Sequence, residues 1–168
     1  LGSEFEITSG EFAIASSYGG AMARFNIYEI DENFPDTFDE NNLIGSSQIV
    51  NIPYVYTYGD PEIINVEFQS PVVVPSGVSR ILVEVEKIDN PNEVATFVAH
   101  FAGTELDNDF SWYKGCGGAA VGNDYLTTLD TAVPKPNARF YIKVTGTDSI
   151  INAQNECLGE TVDFSLSS

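Results

Sequence analysis

The chain alternates apolar and polar residues over many short segments. The alternation is clear at residues 23–28, the plainest strands are predicted at residues 62–68 and 80–88, and a further strong one is predicted at residues 138–145. A period of two residues is typical of β-strands with one buried face. No segment of ten or more residues carries the sustained apolar stripe of a helix. The pattern predicts an all-β protein, a β-sandwich of the jelly-roll type with about eight or nine strands.

Turn-forming residues separate these segments. Glycine and serine at residues 17–20 predict a connection between the first two strands, because glycine reaches positive φ without a steric penalty. Two prolines and a glycine at residues 71–77 predict a turn or a change of sheet. Residues 89–92 read as a turn, so residues 93–103 are expected to pair with residues 80–88 as a hairpin.

The length of 168 residues fits a single domain with a substantial core. Residues 1–5 resemble translated cloning sites, so the domain is expected to span residues 6–168. No apolar run approaches the roughly 18–20 residues of a membrane helix. We expect a monomer that does not insert into membranes.

The chain is strongly acidic. It carries 25 Asp and Glu against 7 Lys and Arg, a net charge of −18. Nucleic acids and anionic membrane surfaces are disfavoured partners, because they bind clustered positive charge. Cations and neutral ligands remain.

Several segments follow one another in a familiar order; they are residues 23–30, 65–68, 71–77, 80–86, 97–103, 111–117 and 140–146. In this order they resemble the β-sandwich accessory domains of secreted Bacteroidetes proteins. In that family such domains stand beside peptidase or glycoside-hydrolase domains and ahead of a type IX secretion sorting domain. The resemblance implies a secreted or cell-surface accessory role and supplies no site residues. Jelly-roll carbohydrate-binding modules are similar at the level of fold alone.

Two cysteines, Cys116 and Cys157, lie in glycine- and asparagine-rich sequence. Two cysteines without a CxxC spacing do not make a zinc site. We predict a disulfide between them, with two free thiols in a reducing compartment as the alternative.

A calcium ion is the cofactor that the acidic residues suggest. Calcium takes six to eight oxygen ligands, and Asp107, Asn108 and Asp109 offer three side-chain oxygens in a row. A second acidic group contains Asp31, Glu32, Asp36, Asp39 and Glu40. Neither group matches the EF-hand loop, and solvated acidic turns are the alternative.

Aromatic residues in loop-like sequence are the candidate ligand contacts. Trp112 and Tyr113 follow the acidic turn, and Tyr54, Tyr56 and Tyr58 alternate in a segment flanked by proline and glycine. Flat aromatic rings stack on the apolar faces of sugars. Tyr18 and Tyr125 are further candidates. The alternative is that these rings fill the ends of the sandwich.

Catalysis has little support in the sequence. The single histidine, His100, lies in an apolar strand, where a structural role is expected, and no carboxylate pair is singled out. We therefore predict a non-catalytic secreted module that binds a polysaccharide for an attached enzyme or surface protein. The alternative is a structural or adhesion module that spaces or docks neighbouring domains.

Overall fold

The computed structural model describes residues 4–56, 60–88, 96–99, 101–103, 111–115, 125–132, 138–148 and 161–164. These residues form fourteen strands. They are β1 (Phe5–Tyr18), β2 (Met22–Glu29), β3 (Leu43–Ser46), β4 (Val50–Asn51), β5 (Val55–Tyr56), β6 (Glu62–Val74), β7 (Ile81–Ile88), β8 (Thr96–Ala99), β9 (Phe101–Gly103), β10 (Trp112–Gly115), β11 (Tyr125–Thr128), β12 (Ala138–Phe140), β13 (Ile142–Asp148) and β14 (Thr161–Phe164). A 3-10 helix covers Glu40–Asn42, and helix α1 covers Leu129–Ala132.

The first sheet is built around β1, which has partners along both edges. β6 and β13 both pair antiparallel with the first half of β1, so they lie on opposite edges. β6 and β8 both pair with Ile14, which places β8 on the β13 edge. β5 pairs with Ser16 and Ser17 on the remaining edge, beyond the end of β6. β14 extends the sheet outside β13.

The second sheet is built around β2. β7 pairs with all of β2, from Met22 opposite Ile88 to Glu29 opposite Ile81. β3 and β4 share the other edge of β2. The antiparallel pairing leaves one face of this sheet for the core and one face outward.

The two sheets pack face to face through alternate apolar residues. The core includes Phe5, Ile7, Phe12 and Ile14 of β1, Ala23, Phe25 and Ile27 of β2, and Ile64, Val66, Phe68, Val72 and Val74 of β6. The Phe25 ring of the second sheet lies 5.7 Å, between centroids, from Phe12 and from Phe68 of the first. The all-β prediction and its sandwich character are confirmed. The jelly-roll connectivity and the number of strands stay predictions.

Two glycines allow the sheets to approach. A Cβ atom at Gly10 would lie 2.7 Å from Cζ of Phe25, and one at Gly45 would lie 2.9 Å from Cγ1 of Val72. Both distances are shorter than van der Waals contact. The Phe25 ring therefore occupies the space that the side chain of any residue larger than glycine at position 10 would fill.

The edge strand β6 is longer than the sequence predicts. It continues through Pro71 to Val74, with a register shift that places Glu67 opposite Ser9 and Val72 opposite Ile7. Proline is tolerated there because β6 is an edge strand. The predicted change of sheet is confirmed, but it comes after Val74, where Gly77 has a φ of 98°.

The predicted hairpin between residues 80–88 and 93–103 is wrong. β7 belongs to the second sheet, whereas β8 pairs with the end of β1 in the first. The pairing of β1 with β13 reaches only as far as Phe12, opposite Ile142. On the same edge, β8 pairs with the rest of β1, from Ile14 to Tyr18. The described strands β8 and β9 do lie within the predicted strand, on either side of His100, which lies outside the described residues.

Shorter elements cover the remaining predicted strands. β9 pairs with β12, β10 pairs with β11, and α1 follows β11 directly. Phe5, which the sequence analysis placed outside the domain, begins β1 and is buried. Within the described ranges, no helix has the length and apolar character needed to cross a membrane.

Candidate functional site

A buried serine fixes residues 53–56 against the end of β1. The Ser17 hydroxyl donates to the carbonyl oxygen of Pro53 and accepts from the backbone N–H of Val55 at 2.8 Å. Ser17 and the Val55 side chain are both buried. Because side chains alternate along an extended chain, Tyr54 and Tyr56 project outward on either side of Val55. They are 74% and 71% exposed.

The strand register extends this outward surface across the sheet. Ser16 lies opposite Tyr56 on one edge of β1 and opposite Val98 on the other. Directly opposite residues point to the same face, with Cβ atoms about 4.5–5.5 Å apart. Tyr18 lies two residues beyond Ser16, so it shares that face. Tyr56, Val98 and Tyr18 are therefore neighbours on the outer side of the first sheet.

A second row of outward residues continues the same surface. Ala13 lies opposite Ile63, and its backbone N–H donates to the carbonyl oxygen of Tyr141 at 3.1 Å. Ala13 points outward yet is only 3% exposed, so the side chains around it cover it. We call the whole surface the tyrosine face; it comprises Tyr18, Tyr54, Tyr56, Tyr141, Ile63 and Val98, which are 39% to 74% exposed.

Glu11 borders the tyrosine face. The Tyr141 hydroxyl donates to the Glu11 carboxylate, and this hydrogen bond raises the pKa of Tyr141, with burial and the negative charge adding to the effect. Glu11 lies opposite Lys143 on β13 and opposite Asn65 on β6. The hydrogen bond restrains the Tyr141 side chain at the margin of the face.

The tyrosine face offers flat apolar rings and hydroxyl groups on one exposed sheet surface. Contiguous exposed apolar residues usually mark an interaction site. Tyrosine combines a large apolar body with a polar tip, which suits ligands that have both apolar and hydroxyl-bearing faces. This arrangement is suited to contacting a ligand of that kind.

Trp112 and Tyr113 lie elsewhere, on β10. The Trp112 ring is half-buried and meets the Phe34 ring at 82°, with centroids 5.1 Å apart. Tyr113 is 41% exposed, and its ring covers Gly115, where a Cβ atom would lie 2.6 Å from the phenol oxygen. Successive residues of a strand point to opposite faces, so these two rings do not form one platform.

An aromatic row ties the acidic loop at residues 31–42 to β10. It runs from Tyr28 through Phe38 and Phe34 to Trp112, with successive centroids 5.4, 5.9 and 5.1 Å apart. Lys114 forms an ion pair with Glu40 and lies 5.8 Å from the Phe38 ring centroid. A cavity of about 230 Å³ opens beside Phe34 and Phe38. Trp112 thus helps to hold this loop in place.

The outer face of the second sheet carries a hydrogen-bonded network. Asn26 is 2% exposed, and its Nδ2 donates to Oε2 of Glu84 at 2.7 Å and to Oε2 of Glu86 at 2.8 Å. Tyr28 donates to the same Glu84 oxygen at 3.0 Å, and Arg24 donates to the same Glu86 oxygen at 2.6 Å. Burial, followed by the negative charge and hydrogen bond of Glu84, raises the pKa of Tyr28.

In this network the Glu84 and Glu86 carboxylates accept from one shared donor, Nδ2 of Asn26. Each Oε2 atom already accepts two hydrogen bonds, from Asn26 and from a neighbour on β2. Such an arrangement fixes side chains and leaves those two oxygens committed. The network is therefore best explained as the polar surface of the second sheet.

Two carboxylates of the acidic loop accept hydrogen bonds from residues of the same loop. Oδ1 of Asp31 accepts from the backbone of Asn33 and from the Thr37 hydroxyl, and these bonds lower the pKa of Asp31. Oδ1 of Asp39 accepts from the backbone and side chain of Asn41. Among the described residues, no three His, Cys, Asp or Glu side chains group as metal ligands would.

Several predicted residues lie outside the described ranges. They are Tyr58, the calcium candidates Asp107, Asn108 and Asp109, and the disulfide candidates Cys116 and Cys157. Their roles stay predictions. Tyr125 lies in β11 opposite Gly115.

The structure brings Tyr54 and Tyr56 together with Tyr18 and separates them from Trp112 and Tyr113. Sequence reasoning missed Ile63, Val98 and Tyr141. Alternation along β6 could have placed Ile63 outward. The other two reach the face only through pairing with β1, which the local sequence does not encode.

No protein-family model, curated protein or solved structure matches the chain. The family resemblance stated above is therefore still an expectation. The site has to be interpreted from its own chemistry.

Proposed function

We propose that the protein is a secreted, non-catalytic module that binds a polysaccharide for an attached enzyme or surface protein. The observation that supports this most is the tyrosine face, where four tyrosines, 44% to 74% exposed, share one side of a sheet. A flat, open surface suits a long chain that lies across several strands.

The proposed mechanism is stacking. Pyranose rings present C–H groups on their faces and hydroxyls at their edges, so an aromatic ring contacts the former while polar groups bind the latter. Tyr54, Tyr56 and Tyr18 supply the rings in the proposal. Their own hydroxyls and Asn65, on the outer side of β6, supply hydrogen-bonding groups.

Trp112 has the smaller part in this proposal. Its contact with Phe34 occupies part of its surface, and β10 does not pair with the first sheet among the described strands. A sugar subsite at Trp112 would be separate from the tyrosine face, and Tyr113, which points to the opposite side of β10, is left out of the proposed binding surface. We keep the Trp112 subsite as a prediction that the same binding assay can test.

Calcium remains part of the proposal as a structural ion held by Asp107, Asn108 and Asp109. An ion that binds only the folded state raises the melting temperature by mass action. Melting should rise when calcium is added to chelator-treated protein. An identical melting curve in calcium and in chelator would remove the ion from the account.

The binding proposal is tested with a glycan array, followed by affinity measurements on the glycan that binds best. Tyr54→Ala combined with Tyr56→Ala should weaken binding at least tenfold, or about 1.4 kcal/mol, because central aromatic contacts dominate binding energies. Tyr113→Ala is the matched control. It removes another exposed tyrosine from a different strand and should leave the affinity unchanged.

Two results would contradict the proposal: an array without a bound glycan, or a double variant that binds as the wild type does. The alternative is then a structural or adhesion module. Ile63 and Val98 make the tyrosine face partly aliphatic, which a protein partner or a neighbouring domain would also cover. If this alternative is right, the tyrosine face should be buried against a neighbouring domain in the purified parent protein.

A further inference from the structure

We propose that the carboxylates bordering the tyrosine face, of which Glu11 contacts it directly, make the face selective against anionic glycans, so that its ligands are sugar chains without carboxylate or sulfate groups. This inference rests on the proposed function. It concerns which glycans bind, whereas the preceding proposal concerns whether any glycan binds.

Carboxylates occupy the outer side of the first sheet beyond the tyrosine face. Glu11, Glu67 and Glu6 all lie at outward positions, because Glu67 pairs with outward Ser9 and Glu6 alternates with buried Phe5 and Ile7. Among the described residues of β1, β6 and β13, Lys143 is the one basic residue on this side. The surface that continues the tyrosine face along β1 is thus net negative.

Glu11 is in direct contact with one ring of the tyrosine face. It lies two residues from Ala13, which is about 7 Å along a strand, and it contacts Tyr141 directly. Electrostatic interactions reach about 8 Å at physiological ionic strength. Lys143, directly opposite Glu11, reduces this repulsion but does not cancel it, because the three outward carboxylates Glu6, Glu11 and Glu67 face a single lysine. An acidic substituent on a sugar over Tyr141 or Ile63 would therefore be repelled. The net charge of −18 acts in the same direction over a longer range.

The hydrogen bond between Glu11 and Tyr141 allows the effect of the Glu11 charge to be measured apart from its role in positioning Tyr141. In Glu11→Gln the side chain keeps an oxygen that can accept from the Tyr141 hydroxyl, but it loses the negative charge. A change in selectivity without a change in the affinity for neutral glycan would then report the charge alone.

The test compares one glycan in two charge states. The neutral polysaccharide that binds best on the array is used unmodified and after oxidation of its primary alcohols to carboxylates. Wild-type protein should bind the neutral form at least tenfold more tightly in low salt. Glu11→Gln should narrow that ratio about twofold, and the Glu11→Gln/Glu67→Gln double variant should narrow it further.

Glu32→Gln is the matched control. It changes the net charge equally, but from an exposed position on the loop after β2, and it should leave the ratio as in the wild type. A salt series on unmodified protein is a second readout that needs no variant. At about 1 M salt the Debye length falls to roughly 3 Å, and the ratio should approach one.

The outcomes separate the two proposals. If no neutral glycan binds, the proposed function is wrong and this inference falls with it. If the neutral glycan binds but the oxidised form binds equally well, only the charge selectivity is wrong. A ratio that persists at high salt, or that Glu32→Gln narrows as much as Glu11→Gln, would also overturn the role of Glu11.

Discussion

The two outer faces of the sandwich use tyrosine in opposite ways. On the second sheet, Tyr28 is buried, its hydroxyl donates to Glu84, and its ring packs against Phe38. On the first sheet, Tyr56 is 71% exposed, and the strand register places its side chain beside Ser16 and Tyr18. The same residue type stabilises one face and is presented to solvent on the other.

The difference follows from what lies over each sheet. The acidic loop at residues 31–42 carries Phe38 onto Tyr28 and Phe34 onto Phe38. Glu84 and Glu86 close the rest of that surface by binding Asn26. Tyr54 and Tyr56 both point away from the core and are mostly exposed, and Ser17 holds the backbone on either side of Tyr54 from beneath.

The largest difference between the faces should appear when each tyrosine is truncated. Tyr28→Ala should lower the free energy of unfolding by about 3–5 kcal/mol, because it removes a buried aromatic ring. Tyr56→Ala should change it by less than about 0.5 kcal/mol, because its side chain is mostly in water. Denaturant titrations of both variants measure this. Equal losses of stability would remove the distinction between the two faces.

A smaller loss of stability is expected when the side-chain amide of Asn26, which bonds both Glu84 and Glu86, is removed. Asn26→Ala should destabilise by about 2–3 kcal/mol, because Glu84 and Glu86 lose a shared donor in a partly buried setting. The unfolding midpoint in denaturant measures the loss. Gln48→Ala is a suitable comparison, since Gln48 binds the β6 backbone at an exposed edge, and it should cost less. If Asn26→Ala unfolds at the same denaturant concentration as the wild type, the network contributes nothing to the stability of the fold.

The smallest effect concerns pH. The pKa of Tyr28 is raised in the folded state from an ordinary value of 10.0, so the folded protein holds this proton more tightly than the unfolded chain. The resulting stabilisation is complete below pH 10 and is lost as pH rises from there towards the folded pKa. Above pH 10 the stability advantage of the wild type over Tyr28→Phe should fall, by at most about 1.4 kcal/mol per pH unit.

Subtracting the unfolding free energy of Tyr28→Phe from that of the wild type cancels the titration of the other tyrosines and the lysines. Unfolding free energies measured at about pH 9 and pH 11 are sufficient. A difference that stays constant over this range would show that Tyr28 ionises as an ordinary tyrosine.

Local pattern was enough to predict the longer strands and three members of the candidate site, Tyr18, Tyr54 and Tyr56. Alternation predicted β2, β6, β7 and β13, and the proline and glycine around Tyr54 and Tyr56 indicated exposure. Long-range pairing could not be predicted. Val98 joins the tyrosine face only because β8 fills the edge of β1 beyond β13, and the sequence predicted a hairpin with β7 instead.

Burial of individual aromatic residues was equally hard to predict. Trp112 and Tyr56 both lie in sequence rich in turn residues, yet Trp112 packs against Phe34, which precedes it by 78 positions. That contact depends on how the acidic loop folds back. Composition reveals that aromatic residues are present, whereas tertiary packing decides which of them reach solvent.

Nitration of tyrosines, read by mass spectrometry with and without the best-binding glycan, tests the account most directly. Without glycan, Tyr18, Tyr54, Tyr56 and Tyr113 should react, and Tyr28 should not. With glycan, Tyr18, Tyr54 and Tyr56 should be protected, while Tyr113 should react as before. Unchanged nitration of the tyrosine face with the glycan bound, or protection confined to Tyr113, would contradict the claim that this face is the binding surface.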